Sequence, residues 1–412
     1  MSFISVRPND CVTGEAQSGR LKRWLATGTL CGAMLSSVAL STSVQAEWQD
    51  PLTTPAMKTH KAHLGLLLDV TDAEERLVAV GAHGHIIYSD NQGVTWAQGN
   101  VPVTSTLTSV DFAGAQQGWA VGHDGVILAS TDGGQSWAKQ FDGYEANSAI
   151  LDSARQFLTV AEERLQTAEE SGDDMVIDQA MIALEDAQFA MQDAEYDLQT
   201  GSTKPFLDVY FWDAANGIAV GAYGMAFSTD NGGESWQELA SALPNPNRLH
   251  LNAITPVGET SLVITGEMGL MLRSDDMGES WVSQSAPYDG SLFGLLDRGS
   301  YQLLFALRGH LYRSDDDGVS WYKLKTDSEQ TLLGGYNSDY GTVLVGNGGA
   351  LLTLTSRFEE PSATTIKGRK GIAAIHRVSS GQYVMVGEAG VQLVDDEGRL
   401  SEASITMNAE EK

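Results

Sequence analysis

Between Phe206 and Leu239 the chain alternates short apolar runs with polar breaks. The runs are FLDVYF, GIAVG, MAFST and SWQEL. Each is only five or six residues long and carries aromatic and β-branched residues on a partial period of two, the pattern of a short strand. The breaks hold Gly, Asp and Asn, the residues that tight hairpins need. Residues 107–140 keep the same order of runs and breaks. Each unit is therefore expected to fold as four strands joined by hairpins.

The unit recurs. An inner marker reads VGAHG at 80–84, VGHDG at 121–125, VGAYG at 220–224 and TGEMG at 265–269. It continues as ALRG at 306–309, VGNGG at 345–349 and VGEAG at 386–390. From one final glycine to the next the steps are 41, 99, 45, 40, 40 and 41 residues. A spacing of ~40–45 residues suits four-stranded propeller blades, and the long step is one period plus roughly 58 residues. A single four-stranded sheet cannot bury both faces, whereas a closed ring of seven can. The expected fold is all-β: a seven-bladed β-propeller with an antiparallel helical hairpin inserted between blades 2 and 3. The expected divisions are a leader at 1–46, blades 1–2 at 47–145, the insertion at 146–202 and blades 3–7 at 203–412.

An outer marker follows the inner one in five units: SDNQGVTW (89–96), STDGGQSW (130–137), TDNGGESW (229–236), SDDMGESW (274–281) and SDDDGVSW (314–321). Read in phase, it joins the third strand to the fourth. Its fifth position is always glycine, as a backbone at positive φ requires. Asn91, Asp132, Asn231, Asp276 and Asp316, at the third position, are expected to accept N–H bonds inside the turn. Trp96, Trp137, Trp236, Trp281 and Trp321 are expected to cover the gap to a neighbouring blade. Units six and seven keep only TLTS (353–356) and VDDEG (394–398). SDDDG resembles the start of a calcium loop, but the D-x-D-x-D-G spacing and the Glu at position twelve are missing. No metal and no cofactor is expected.

The outer marker is similar to the Asp-box, or bacterial neuraminidase repeat. The longer unit, with GWAVG-x-x-G ahead of the box, resembles the photosystem II stability and assembly factor family over about residues 63–398, the insertion apart. That resemblance implies a secreted or lumenal seven-bladed propeller. It implies a non-enzymatic factor that holds membrane-protein subunits during assembly. It also implies a basic client-holding patch in photosynthetic members, from which this acidic chain departs.

Residues 146–202 have no Trp and no strand pattern. Leu151, Ala154, Leu158, Ala161, Leu165 and Ala168 are spaced 3-4-3-4-3, and Ile177, Ala180, Leu184, Ala187, Met191, Ala194 and Leu198 continue the pattern after an SGDD break. This is the seam of a helical hairpin with helices of about 23 residues, about 35 Å each. A second row, Ile182, Phe189 and Tyr196, repeats every seven residues off that seam. Two uses are open for it: packing on the propeller or on the first helix, or a ridge for a partner.

The insertion follows the fourth strand of blade 2, so it is expected to rise from the face that carries the VG-x-x-G turns. Those turns place His83, Asp124, Tyr223, Glu267, Arg308, Asn347 and Glu388 around one mouth. The arm and the mouth together form the candidate partner-binding surface, with an ordinary polar rim as the plainer alternative.

Charge narrows the partners. The 412-residue chain carries 54 Asp+Glu against 25 Lys+Arg. Arg20, Lys22 and Arg23 precede an uncharged run that closes on Val44-Gln45-Ala46, the pattern of a secretory signal peptide. An uncleaved anchor helix is the alternative reading of this run. Leu30 before Cys31 is too bulky for a lipidated cysteine. Beyond residue 46 there are 21 basic and 52 acidic side chains, a net charge of −31, and no cysteine. A polyanion repels nucleic acid, which leaves basic proteins or local patches as partners. The expected location is the periplasm. The expected partner is an envelope or inner-membrane protein complex.

Among enzymes, sialidases share the Asp-box. They also need an arginine triad, a Tyr–Glu pair and an acid. No Arg-Ile-Pro string occurs here, and only Arg308 falls on the turns facing the mouth. The expectation is a non-enzymatic binding or assembly factor, with a sialidase-like glycoside hydrolase as the alternative.

Overall fold

Leu67–Ala73 (β1), Arg76–Gly81 (β2), Ile86–Ser89 (β3) and Thr95–Gln98 (β4) pair antiparallel in chain order. A computed structural model describes residues 49–355, 360–395, 398–401 and 404–408. The leader expected at 1–46 lies outside the described residues. Five further four-stranded sheets of the same order span 107–141, 206–238, 251–283, 292–324 and 332–365. A sheet of three described strands spans 372–394. The chain is predominantly β, with two long helices.

The first strand of each sheet packs on the first strand of the next, and that of the last sheet packs on β1. Seven apolar clusters lie between neighbouring sheets, one for each pair around this cycle. Each sheet thus buries both faces against its neighbours, and burial between sheets replaces a single central core. The box tryptophans are part of this seal. Trp137 belongs to the cluster between sheets one and two, and Trp96 to that between the last sheet and the first. Trp236, Trp281 and Trp321 sit likewise between their own sheet and the preceding one.

Two segments tie the ends of the cycle. Ala62–Leu64 packs on the third strand of the last sheet. Thr406–Met407 adds to the outer edge of β4 in parallel, with Thr406 opposite Thr95 and Met407 opposite Trp96.

The marker glycines have two different reasons. Gly81 is extended, at φ 179, but a Cβ there would overlap the Leu66 carbonyl where β1 shifts register. Gly309 is left-handed, at φ 71, and a Cβ there would overlap the Ser328 carbonyl. The first is a close backbone approach, and the second adds handedness to it.

Helix α1 (Gly143–Ser171) and helix α2 (Asp174–Thr200) follow the second sheet. They have 29 and 27 residues, so they are about 43 and 40 Å long, longer than the seam pattern suggests. The first helix starts ahead of its apolar seam because Asp142 caps it. The Asp142 carboxylate accepts from the backbone of Tyr144 and Glu145, and the Glu145 side chain reaches back to the Asp142 N–H. Left-handed Gly172 stops it, and Asp173 caps the second helix. Ala154, Ala161 and Ala168 face Ala180, Ala187 and Ala194 on a seam where all six are buried. Small side chains at every seventh position let the two backbones close on each other.

Candidate interaction surface

Each inner marker of the first six sheets folds as a hairpin turn with two central residues at positive φ. In the first sheet these are His83 (φ 61) and Gly84 (φ 67), closed by the His85 N–H donating to the Ala82 carbonyl at 3.2 Å. Asp124, Tyr223, Met268, Arg308 and Gly348 hold the same place in sheets two to six, at φ between 51 and 63. This is type I′ geometry, in which Asn, Asp and Gly are at ease and other residues cost about 1–2 kcal/mol. Two of the named turn residues lie in their turns but not at the tip. Glu267 and Asn347 stand one place before the tip, because the turn is counted back from its last glycine. In the last sheet Gly387 pairs directly with Gly390, so Glu388 and Ala389 form the loop.

The seven expected residues do not meet in one constellation. Tyr223 and Glu267 are linked through His250, whose ring lies 4.8 Å from the Tyr223 ring and 3.5 Å from a Glu267 carboxylate oxygen. The Lys204 ammonium stands 5.7 Å from the same tyrosine ring and pairs with Asp197 of α2. A continuous line of polar and aromatic contacts thus runs from α2 to the fourth sheet. Asp124 accepts from Ser105 Oγ at 2.7 Å, and its carbonyl accepts from Ser202 at the foot of the hairpin. Glu388 lies 4.0 Å from Lys370. His83, Arg308 and Asn347 are exposed on separate turns.

The second row on α2 is open to solvent. Ile182 is 61% exposed, Phe189 57% and Tyr196 68%, so packing on the sheets or on α1 is not its use. Met175, 72% exposed and one heptad before Ile182, extends the row. Its place seven residues upstream was legible, but it sits in the first turn, ahead of the repeating stretch. The hairpin meets the sheets elsewhere, through Ser153 Oγ to Glu238 at 3.0 Å and Asp193 to Arg248 at 3.2 Å.

The Asp-box is closed on itself. Ser89 Oγ accepts the Gly93 N–H at 2.9 Å, Asn91 Oδ1 accepts the Thr95 N–H at 2.8 Å, and Trp96 Nε1 donates to the Gly93 carbonyl at 2.9 Å. Asp132, Asn231, Asp276 and Asp316 accept equivalent bonds. Hydrogen bonds from Ser280 pull the Asp276 carboxyl down to about 2, and those from Ser320 lower Asp316. These carboxylates already have their partners, which accounts for the turn without a metal. Trp236 is the exception among the indoles, its Nε1 buried without a partner.

Three arginines also serve the boxes. Arg76 pairs with Asp90, Arg313 with Asp315, and Arg273 with both Asp275 and Asp317 of the next sheet. They stand at the opposite end of the strands from the turn that holds Arg308. This arrangement does not build a carboxylate-gripping triad.

Sequence reading missed three carboxyls on the first strands. Asp69 accepts the Val110 N–H from the second sheet at 2.9 Å, and Asp208 accepts the Ile254 N–H from the fourth at 2.9 Å. Asp111 accepts the Phe211 N–H from the third sheet at 2.7 Å. Each thus satisfies a backbone donor on the first strand of the next sheet. Burial raises all three, Asp111 to about 6 and Asp208 to about 7. Geometry agrees: Ser109 Oγ lies 2.7 Å from Asp208 and 3.1 Å from Asp69. One hydroxyl proton cannot serve two carboxylates, so one of the pair must bring its own. The signal was present as a repeated Leu-Asp-Val at 68–70 and 207–209.

The family model described as photosynthesis system II assembly factor YCF48 matches residues 89–153 and 187–394. The chain belongs to the YCF48 family. The photosystem II assembly lipoprotein Ycf48 of Synechococcus sp. (strain CC9902) is 32% identical over 136 residues, 32% of this chain and 40% of that protein. The match therefore spans less than half of that relative's length. Among solved structures, YCF48 bound to D1 peptide superposes with a TM-score of 0.55 at 16% identity, covering 80% of this chain and 93% of that one. YCF48 from Cyanidioschyzon merolae gives 0.55 at 13% identity, covering 82% and 97%. The WD40 β-propeller domain of Doa1 also gives 0.55, at 11% identity, covering 85% and 97%. These likenesses show a propeller-like fold. The YCF48 match breaks off at residue 153, inside α1, and resumes at residue 187, inside α2, so the rest of the first helix and the first half of the second stand outside it.

Proposed function

We propose that this chain is a non-enzymatic assembly factor, similar in role to the photosystem II factors of its family, that works in the periplasm on a membrane protein complex. In this reading the seven sheets are the seven blades of a propeller, and α1 and α2 form an arm between blades 2 and 3. The family match carries the reading. A solved YCF48 bound to a D1 peptide supports a peptide segment of a membrane protein as the kind of ligand to seek. The arm, with the line from Asp197 through Lys204 and Tyr223 to Glu267 at its foot, is the contact surface. The sequence before residue 47 supports export.

Crosslinking in intact cells followed by mass spectrometry tests this. The tagged full chain should capture subunits of one membrane complex. A variant with 143–201 replaced by a short loop should keep its β circular dichroism and lose those subunits. Capture of the same subunits by the loop variant would remove the arm from the contact surface. Capture of no membrane protein by the full chain would overturn the assembly role.

A further inference from the structure

We infer that the outer face of α2 is a docking stripe for a basic amphipathic helix of the client. This rests on the assembly-factor reading and specifies the chemistry of its partner. Met175, Ile182, Phe189 and Tyr196 form one row, each more than half exposed. The row is about 32 Å long at the helical rise. It lies across the helix from Ala180, Ala187 and Ala194, which are buried against α1. The helix that pairs with α2 inside the hairpin therefore cannot cover it.

The spaces within the row define what fits. A knob from a facing helix enters a hole made by residues i, i+3, i+4 and i+7. The central hole is Ile182, Glu185, Asp186 and Phe189: apolar ends with acidic sides. The neighbouring hole adds Asp178 to the same pattern. No basic side chain pairs with Asp178, Glu185 or Asp186 among the described residues. A Lys or Arg knob satisfies such a hole completely, its aliphatic stem lying on Ile182 and Phe189 and its head between the carboxylates. A row of period seven drifts slowly around an α-helix, and a partner helix crossing at about 20° follows that drift.

Charge separates this occupant from the others. Residues 146–202 hold 13 acidic and 2 basic side chains. A second copy of the chain would bring two acidic flanks together. An anionic lipid surface would be repelled for the same reason. A cationic helix with apolar residues at heptad spacing gains on both counts.

The test uses the full chain and a labelled 25-residue helical peptide of Leu and Lys in heptad register. Its counterpart has Glu in place of Lys, and phosphatidylglycerol vesicles form a third arm. Binding is read by fluorescence anisotropy. The Lys peptide should bind, and more weakly as salt rises. The triple variant Ile182→Ser, Phe189→Ser, Tyr196→Ser keeps the charge and the Ala seam, so its helical circular dichroism should stand. It should bind at least tenfold more weakly. The variant Glu185→Lys, Asp186→Lys should lose the Lys peptide and gain the Glu peptide. Equal binding of the Lys peptide to wild type and both variants would overturn the stripe. So would preference for the vesicles, or a wild-type dimer in sedimentation that the triple variant abolishes. In cells, capture of the membrane complex by the triple variant would remove the stripe and leave the assembly role standing.

Discussion

Replacing Asp208 by asparagine removes a titrating proton from between the first strands while keeping the side chain's size. Wild-type Asp208 accepts from Val209 N at 2.9 Å, Ser109 Oγ at 2.7 Å and Ile254 N at 2.9 Å, yet burial lifts its carboxyl to about 7. In the unfolded chain it titrates near the ordinary 3.8. Between those two values the folded state holds the proton more tightly than the unfolded state. The contribution is therefore fully present below the unfolded value and is lost as pH rises through the folded value. A shift of about three units at 1.36 kcal/mol each gives on the order of 4 kcal/mol, and the water-reached edge of the carboxyl brings this to roughly 2–4 kcal/mol. Because Asp69 shares Ser109, the profile belongs to the pair. Urea unfolding of both proteins at pH 4.5, 6 and 8 reads the effect. The difference between variant and wild type cancels the general acidic repulsion that both share. At pH 4.5 the variant should be no more stable than wild type, and relative to wild type it should gain roughly 2–4 kcal/mol by pH 8. A flat difference would refute the reasoning. So would one that moves in favour of wild type as pH rises, because the three donors would then outweigh burial.

Three further outcomes follow from the turns and the seal. Trp96→Ala empties a fully buried site between the last sheet and the first and should cost about 3–5 kcal/mol in urea unfolding; a loss below about 1 kcal/mol would mean the gap closes without the indole. The Asp276 carboxyl carbon should titrate by NMR near 2, its contribution to stability present above the unfolded value and fading as pH falls through the folded one; a midpoint near 4 would contradict the closed box. Met268→Asn should raise stability by about 1 kcal/mol, because Asn tolerates the φ of 51 that methionine occupies at that turn, and an unchanged melting temperature would count against the strain.

The strand grammar was legible because each turn has a chemical signature. Gly at the end of VG-x-x-G marks the second-to-third-strand turn and the Asp-x-Gly-x-Ser-Trp string marks the third-to-fourth, so the inner strands fall between them by default. The heptad of alanines made the hairpin seam equally plain. What sequence alone blurred was register within a turn. Glu267 and Met268 are adjacent in the same turn, and only the φ of Met268 says which one is the tip. Whether the row at Ile182 is covered was also hidden, because exposure depends on where the arm stands, not on its period. The carboxyls of Asp69 and Asp208 looked like ordinary strand polar positions. Their role exists only once the neighbouring sheet presents a free N–H.

The tie between the last residues and β4 bears on how the molecule is made. Ser380 N donates to Gln92 Oε1 at 3.0 Å across 288 positions, and Thr406 lies beside Thr95. Contacts of such separation form late, because loop closure must precede any gain from them. During synthesis the first sheet has neither its neighbour on one side nor the strand that covers its outer edge. Trp96 and the open edge of β4 then face solvent until the far end of the chain arrives. The first sheet is thus the first made and the last completed, and the interval between is when the protein is most open to mispairing with another chain.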